Sequence, residues 1–339
     1  MSRKTVYNNI TSEELYNQVS KENKQLVSDC LEWCRAEDKS METLRVYTSD
    51  LRIFFVWNLK NNNNKFFADV DKKDIMKYQN YLMGTLGHSP ARIRSLKSAL
   101  STLSNYIEVM EDDQYPKFRN IINKIKPPAN IKIREKTVLS EDQIKLVLDT
   151  LVAEDKLDMA CCFALAAASG ARKSELLRFK VSHFTKENII FGSLYKTPEK
   201  IKTKGRGKLG KPLNKYVIVN EFQQYFDLWI EKRNKFYTGE EIFVNLETKK
   251  PVQISTLNSW AKYITKILNT SFYFHSLRHF FCSKLKQNDI PDELIKEIIG
   301  WENLEMISVY NDNNVSDDFV KYFNESGIIK KEKKDLSDL

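Results

Sequence analysis

The chain has 339 residues, of which 42% are hydrophobic and 12% aromatic. That is enough apolar material for two cores, and it excludes a disordered polymer. The formal net charge of +9 favours a polyanionic partner, and it concentrates in residues 196–215, where eight Lys or Arg face one acid, Glu199. Five cysteines, an odd number with no C-x-x-C pair, predict reduced thiols in a cytosolic or nuclear compartment. Cys30 and Cys34 share one helical face without a His or Cys partner nearby, so no metal site is expected. No apolar run reaches the length of a membrane span, and residues after Met1 lack the apolar core of a signal peptide.

In chain order, Thr11-Ser12-Glu13-Glu14 predicts a helix start. Leu44, Tyr47, Leu51, Phe54 and Phe55 recur at helical spacing, and the asparagines at 61–64 predict a loop. A further helix is expected over residues 71–83. Ser89-Pro90 opens the next, because Ser caps and Pro suits the first helical position. Its apolar stripe is Ile93, Leu96, Leu100, Leu103 and Ile107, with Arg92, Arg94 and Lys97 largely off it. Lys126-Pro127-Pro128 ends a helical domain over 1–128, and 129–137 reads as an extended basic linker.

A second domain, 138–325, starts with the capping box Ser140-Glu141-Asp142-Gln143. Residues 157–169 are apolar nearly all round and predict a buried central helix, with Gly170 as its stop. Strands are expected only within 184–194 and 201–219, joined by a basic hairpin that carries Gly205, Gly207 and Gly210. The rest to about residue 323 is expected to be helical, and 326–339 a solvated tail. The fold class is therefore mainly α with a small antiparallel hairpin or sheet.

The chemistry concentrates in four places. Arg172 follows the buried helix at a Gly turn, with Glu175 three residues on to orient it. His275 and Arg278, in His275-Ser276-Leu277-Arg278-His279, are three apart on a predicted helix and face the same way. Arg278 lies among Phe272, Phe274, Leu277, Phe280 and Phe281, so it should be partly buried and need an anionic partner. Trp301 and Tyr310 follow at an offset of nine. Arginine forks donate in pairs to phosphate oxygens and stay charged, so this set suits a phosphodiester. The clustered carboxylates of a metal-dependent alternative are not evident.

Arg172 with Ser174-Glu175-Leu176, then His275 to His279, Gly300-Trp301 and Tyr310, resembles the tyrosine recombinase (integrase) family in order and spacing. The likeness covers about 138–323. More weakly, the helical region before it is similar to the family's core-binding domain, in a compact layout without a separate arm-binding domain. Most relatives carry His in the place of Trp301. The resemblance implies a two-domain clamp around double-stranded DNA that cleaves and rejoins strands without metal, cofactor or ATP. In it Tyr310 is the nucleophile and forms a 3′-phosphotyrosyl link. Arg172 and Arg278 clamp the scissile phosphate, His275 accepts or positions a proton, Trp301 donates its indole N–H, and Glu175 supports the arginine. A hairpin Lys protonates the leaving 5′-oxygen. Lys204 fits that role best, with Lys202 and Lys208 as alternatives, and Tyr322 is the rival nucleophile.

Backbone or groove contacts are expected from Arg92, Arg94 and Lys97, and from Lys202, Arg206 and Lys208. The resemblance also implies four active sites, hence a homo-tetramer on two specific DNA sites, with a monomer or weak oligomer away from DNA. An amphipathic segment carrying Val315, Phe319, Val320 and Phe323 would dock in the neighbouring protomer or pack in cis. The expected location is the nucleoid of a bacterial or phage-infected cytoplasm, with no membrane role. Alternatives are a telomere resolvase, a type IB topoisomerase, or a catalytically silent DNA-binding regulator on the same fold. His88, His183 and His279 are read as structural.

Overall fold

The computed structural model describes residues 10–129, 138–203 and 212–301, with the main chain of 323–324 and 327–328. Tyr310, its rival Tyr322, the segment of Val315, Phe319 and Val320, and Lys204, Arg206 and Lys208 lie outside the described residues, as does nearly all of the predicted linker. The described residues form two compact units, one before and one after that linker.

The first unit is helical: α1 (Glu13–Asn17), α2 (Lys21–Ala36), α3 (Met41–Asn61), α4 (Lys72–Asn80) and α5 (Pro90–Met110). Each begins where a small polar side chain satisfies an amide that the helix itself leaves open. Ser12, Ser20, Ser40, Asp71 and Ser89 do this in turn. The predicted stripe Ile93, Leu96, Leu100, Leu103 and Ile107 is buried against α2 and α3. Phe54 anchors an aromatic cluster with Phe55, Trp57, Phe67 and Tyr78. The helix expected over 71–83 stops at Asn80 and continues as a π-helical turn, Tyr81–Thr85, containing Gly84.

The second unit is built around α7 (Leu157–Ser169), which is buried along nearly its whole length. Helices α6 (Glu141–Ala153), α9 (Val219–Asn234) and α11 (His275–Gln287) pack on it. The remaining helices are α8 (Lys173–Leu176), α10 (Ile254–Leu268) and α12 (Asp292–Ile299). Strands β1 (Ile189–Ile190), β2 (Leu194–Lys196) and β5 (Tyr216–Ile218) make an antiparallel sheet in the order β1-β2-β5, with Tyr195 opposite Val217. β3 (Ile201–Lys202) and β4 (Pro212–Leu213) form a separate antiparallel hairpin.

Three expectations need correction. The strands are only two or three residues long, because 3-10 turns occupy Val181–His183 and Lys186–Asn188, and Val219 already starts α9. The expected all-helical remainder is interrupted by a hairpin, β6 (Val244–Asn245) with β7 (Lys250–Pro251). Two-residue strands carry no period, so alternation cannot reveal them. Around the expected start of the tail, the main chain forms a pairing that was not foreseen, β8 (Phe323–Asn324) with β9 (Gly327–Ile328).

Candidate active site

The site is assembled where three helix ends meet. α7 ends at Gly170, in the left-handed conformation (φ 59°), and α12 ends at Gly300 (φ 76°). Glycine is required at both for more than φ. A β-carbon on Gly170 would lie 2.6 Å from Phe281 Cδ1, and one on Gly300 would lie 2.5 Å from Leu213 Cδ1. The chain can therefore turn sharply and stay close to α11 and the β3–β4 hairpin.

Arg278 lies between these two ends and is only 1% exposed. Its Nη1 donates to the Gly170 carbonyl at 2.8 Å, and its Nη2 to the Ile299 carbonyl at 3.3 Å. Carbonyls at the last turn of a helix lack intrahelical donors and carry its negative partial charge. Two helix C-termini thus supply part of the negative potential that the expected anionic partner would provide. The burial is also more complete than the partial burial expected. The guanidinium also faces the Trp301 ring at 5.5 Å, and that ring is itself buried.

Arg172 arrives two residues after Gly170 as the N-cap of α8. Glu175 is the third residue of that helix and reaches back, as an N3 carboxylate does in a capping box. Its Oε2 accepts from the Arg172 main-chain N–H at 3.0 Å, and its Oε1 from Arg172 Nη1 at 2.9 Å. The orientation expected of Glu175 is thus present. The Arg172 side chain stays 28% exposed, whereas Glu175 is fully buried.

His275 opens α11 and places its imidazole on the face of Arg278, one turn on. It packs edge-on against His279, with ring centroids 5.1 Å apart. His275 keeps an exposed edge. Even so, the protein around it, and then the charges of Arg278 and Arg172, hold its pKa below the ordinary 6.5. Two reachable groups, Arg172 and His275, therefore stand over a buried layer of Arg278, Glu175 and Trp301.

One member of that layer was not foreseen. Lys215 belongs to the basic residues of 196–215, which the sequence suggests are DNA-backbone clamps. It is instead 2% exposed, with Nζ 2.8 Å from Glu175 Oε2. Burial pushes the Glu175 carboxyl up, but the Lys215 charge and the hydrogen bonds from Lys215 and Arg172 outweigh it and hold the group below its usual range. Burial lowers the Lys215 ammonium, Glu175 raises it, and Arg278 and Arg172 lower it again. The sequence signal was alternation: Lys215, just before β5, is buried two residues from buried Val217, with the less buried Tyr216 between them.

The expected DNA-contact residues divide. Lys97 is buried and donates to Gln79 Oε1 and the Ile125 carbonyl, so it ties the first unit together rather than reaching a groove. Arg92 places its fork on the buried Asp50 carboxylate at 2.6 and 3.1 Å, which an Asp so deep requires. Arg94 is exposed and donates to the Pro128 carbonyl at 2.7 Å. Lys202 is exposed on β3. His183 is buried, its Nδ1 accepting from the Lys180 amide at 3.3 Å and its Nε2 lying 3.3 Å from Glu199 Oε1. All five cysteines are buried, unpaired thiols. Among the described residues there is no His, Cys, Asp or Glu cluster suited to a metal, and no helix long and apolar enough to cross a membrane.

Comparison with known proteins places this geometry. A phage integrase family model matches residues 137–317, and one for a phage integrase N-terminal SAM-like domain matches 26–114. The chain is 34% identical over 255 residues to the SPbeta prophage-derived recombinase-like protein YomM of Bacillus subtilis, covering 74% of this chain and 73% of that one. It is 27% identical over 294 residues to a tyrosine recombinase of Thermosipho africanus, covering 84% and 93%. The fold is similar to that of the XerH site-specific recombinase solved with its difH DNA after cleavage, with a TM-score of 0.64, 18% identity, and 90% and 85% of the two chains covered.

Proposed function

Because the chain belongs to the phage integrase family of tyrosine recombinases, we propose that it is a site-specific recombinase that cuts and rejoins DNA strands through a 3′-phosphotyrosyl intermediate. The observation that best supports this is the convergence of Arg172 from the start of α8 with His275 and Arg278 from α11, two segments a hundred residues apart in the chain, on one partly accessible cationic site. A phosphodiester repels nucleophiles, and charge on its non-bridging oxygens grows as the fifth bond to phosphorus forms. Arg172 meets that charge from the accessible side. Arg278, held by two helix ends, keeps a second cation beneath it without side-chain reorganisation.

The reaction we assign is as follows. The Tyr310 oxygen attacks phosphorus, and His275, kept neutral by its surroundings, takes the phenolic proton. The bond from phosphorus to the 5′-oxygen breaks, and Lys204 gives that oxygen a proton. Trp301 donates to a phosphate oxygen. A 5′-hydroxyl from the partner strand reverses the sequence. The covalent link conserves the bond energy, so neither ATP nor metal enters. Exchange of four strands implies a tetramer on two double-stranded sites, assembled from monomers or weak oligomers on DNA in the nucleoid of a bacterial or phage-infected host. We assign residues 1–128 to core binding and 138–325 to catalysis. Arg94, Lys202, Arg206 and Lys208 are the remaining candidates for contacts to the DNA backbone.

The test uses labelled duplexes that span the flanks of the protein's own gene, incubated without metal and run on denaturing gels. Wild type should give a protein–DNA adduct that Tyr310→Phe does not. Adducts from both proteins would transfer the nucleophile to Tyr322. Tight binding with no adduct from wild type on paired sites would favour the silent regulator.

A further inference from the structure

The buried lysine behind the accessible arginine has no assigned role. We propose that Lys215 is a positioning residue for strand cleavage: by holding the Glu175 carboxylate, it keeps Arg172 where it receives the scissile phosphate. The inference rests on the recombinase reading above.

Glu175 has no exposed surface, and its two oxygens divide their work. Oε1 takes the Arg172 guanidinium. Oε2 takes both the Arg172 amide and Lys215 Nζ. The main chain that carries this lysine is anchored, since the Lys215 amide donates to Thr197 Oγ1 at 3.0 Å and the Thr197 amide to the Lys215 carbonyl at 2.9 Å. Thr197 is buried beside strand β2. Gly300 passes alongside the ammonium, since a β-carbon there would lie 4.0 Å from Nζ, at ordinary contact distance. The sheet, α8 and the turn before Trp301 therefore meet at one charged side chain.

Without Lys215, a fully buried carboxylate would face one arginine. Either it would draw the guanidinium inward, away from the phosphate, or it would take up a proton and release it. Both move Arg172. In the intact site, Arg172, Arg278 and Lys215 against Glu175 leave a formal +2, which suits a phosphorane that carries two negative charges in the transition state.

The test compares single-turnover cleavage, DNA affinity and thermal unfolding in wild type, Lys215→Met, Lys215→Arg, Glu175→Gln and the Met/Gln double variant. Lys215→Met should slow cleavage by about 10- to 100-fold, the cost expected of a small misplacement of a reacting group, with DNA affinity unchanged. Lys215→Arg should recover part of the rate. Lys215→Met should also acquire an acidic fall in rate, at a pH where wild type is flat, as Glu175 takes up its proton. That fall should vanish in the double variant, which has no carboxylate to titrate. In DNA-free melting curves the two substitutions should be less than additive. A folded Lys215→Met that cleaves at the wild-type rate overturns the assignment. So does a slow Lys215→Met with the wild-type pH profile and no recovery in Lys215→Arg, which marks a purely structural lysine. Absence of any adduct from wild type overturns the recombinase reading itself, a result distinct from both.

Discussion

At the scale of single residues, the site shows how burial, reinforced by like charges, biases a protonation state. The protein packed around His275, and then the two guanidinium groups beside it, disfavour its imidazolium, so the neutral, proton-accepting form is favoured. The chain has four histidines, so their ring signals can be followed individually by NMR. His275 should titrate below 6.5, and Arg172→Ala should move its midpoint upward by removing a positive neighbour. The same shift has a sign for stability. Between the lowered folded value and the ordinary 6.5, the unfolded chain binds more protons than the folded one. Acidification through 6.5 should therefore lower the melting temperature, with buried His183, also lowered chiefly by burial, contributing in the same direction. A melting temperature that rises over that interval would contradict both placements.

At the scale of elements, helix ends matter more than helix bodies. The ends of α7 and α12 hold Arg278, and each requires a glycine for its conformation and for its close neighbour. Gly170→Ala combines a left-handed φ with a 2.6 Å approach to the Phe281 ring. It should destabilise the protein by about 1–3 kcal/mol and slow cleavage, because the carbonyl that receives Arg278 must move. Gly84→Ala is the control. That glycine lies in the π-helical turn with no atom within 4 Å of an added β-carbon, and the melting temperature should hold or rise. Equal losses in the two variants would show that the close approach at Gly170 is unimportant. The helices themselves were legible because capping serines, proline at the first helical position and an apolar stripe agree locally. The hairpin at 244–251 was not, because strands of two residues have no periodicity to read.

At the scale of the whole molecule, the excess charge of +9 sets the physics of binding. Affinity for duplex DNA should fall linearly on a log–log plot against salt. Replacing Lys202, Arg206 and Lys208 together by alanine should flatten that slope by about 0.9 for each phosphate left without its cation. An unchanged slope in the triple variant would remove the hairpin from the DNA-binding surface. Lys97 shows why a count of basic residues overstates such surfaces: it is buried and used internally.

The local properties of the chain were determined by the sequence alone. Caps, stripes, the buried α7 and the step of nine from Trp301 to Tyr310 all arise among residues within a few turns of one another. The tertiary structure decided which polar groups share a low-dielectric space. Lys215 and Glu175 are forty residues apart, and Arg278 and Gly170 are 108 apart. Alternation could mark Lys215 as inward, but no local rule states which carboxylate it meets, or that two helix ends supply the negative potential for an arginine. Those pairings exist because a buried charge must find compensation, and only the folded arrangement determines which groups are close enough to provide it.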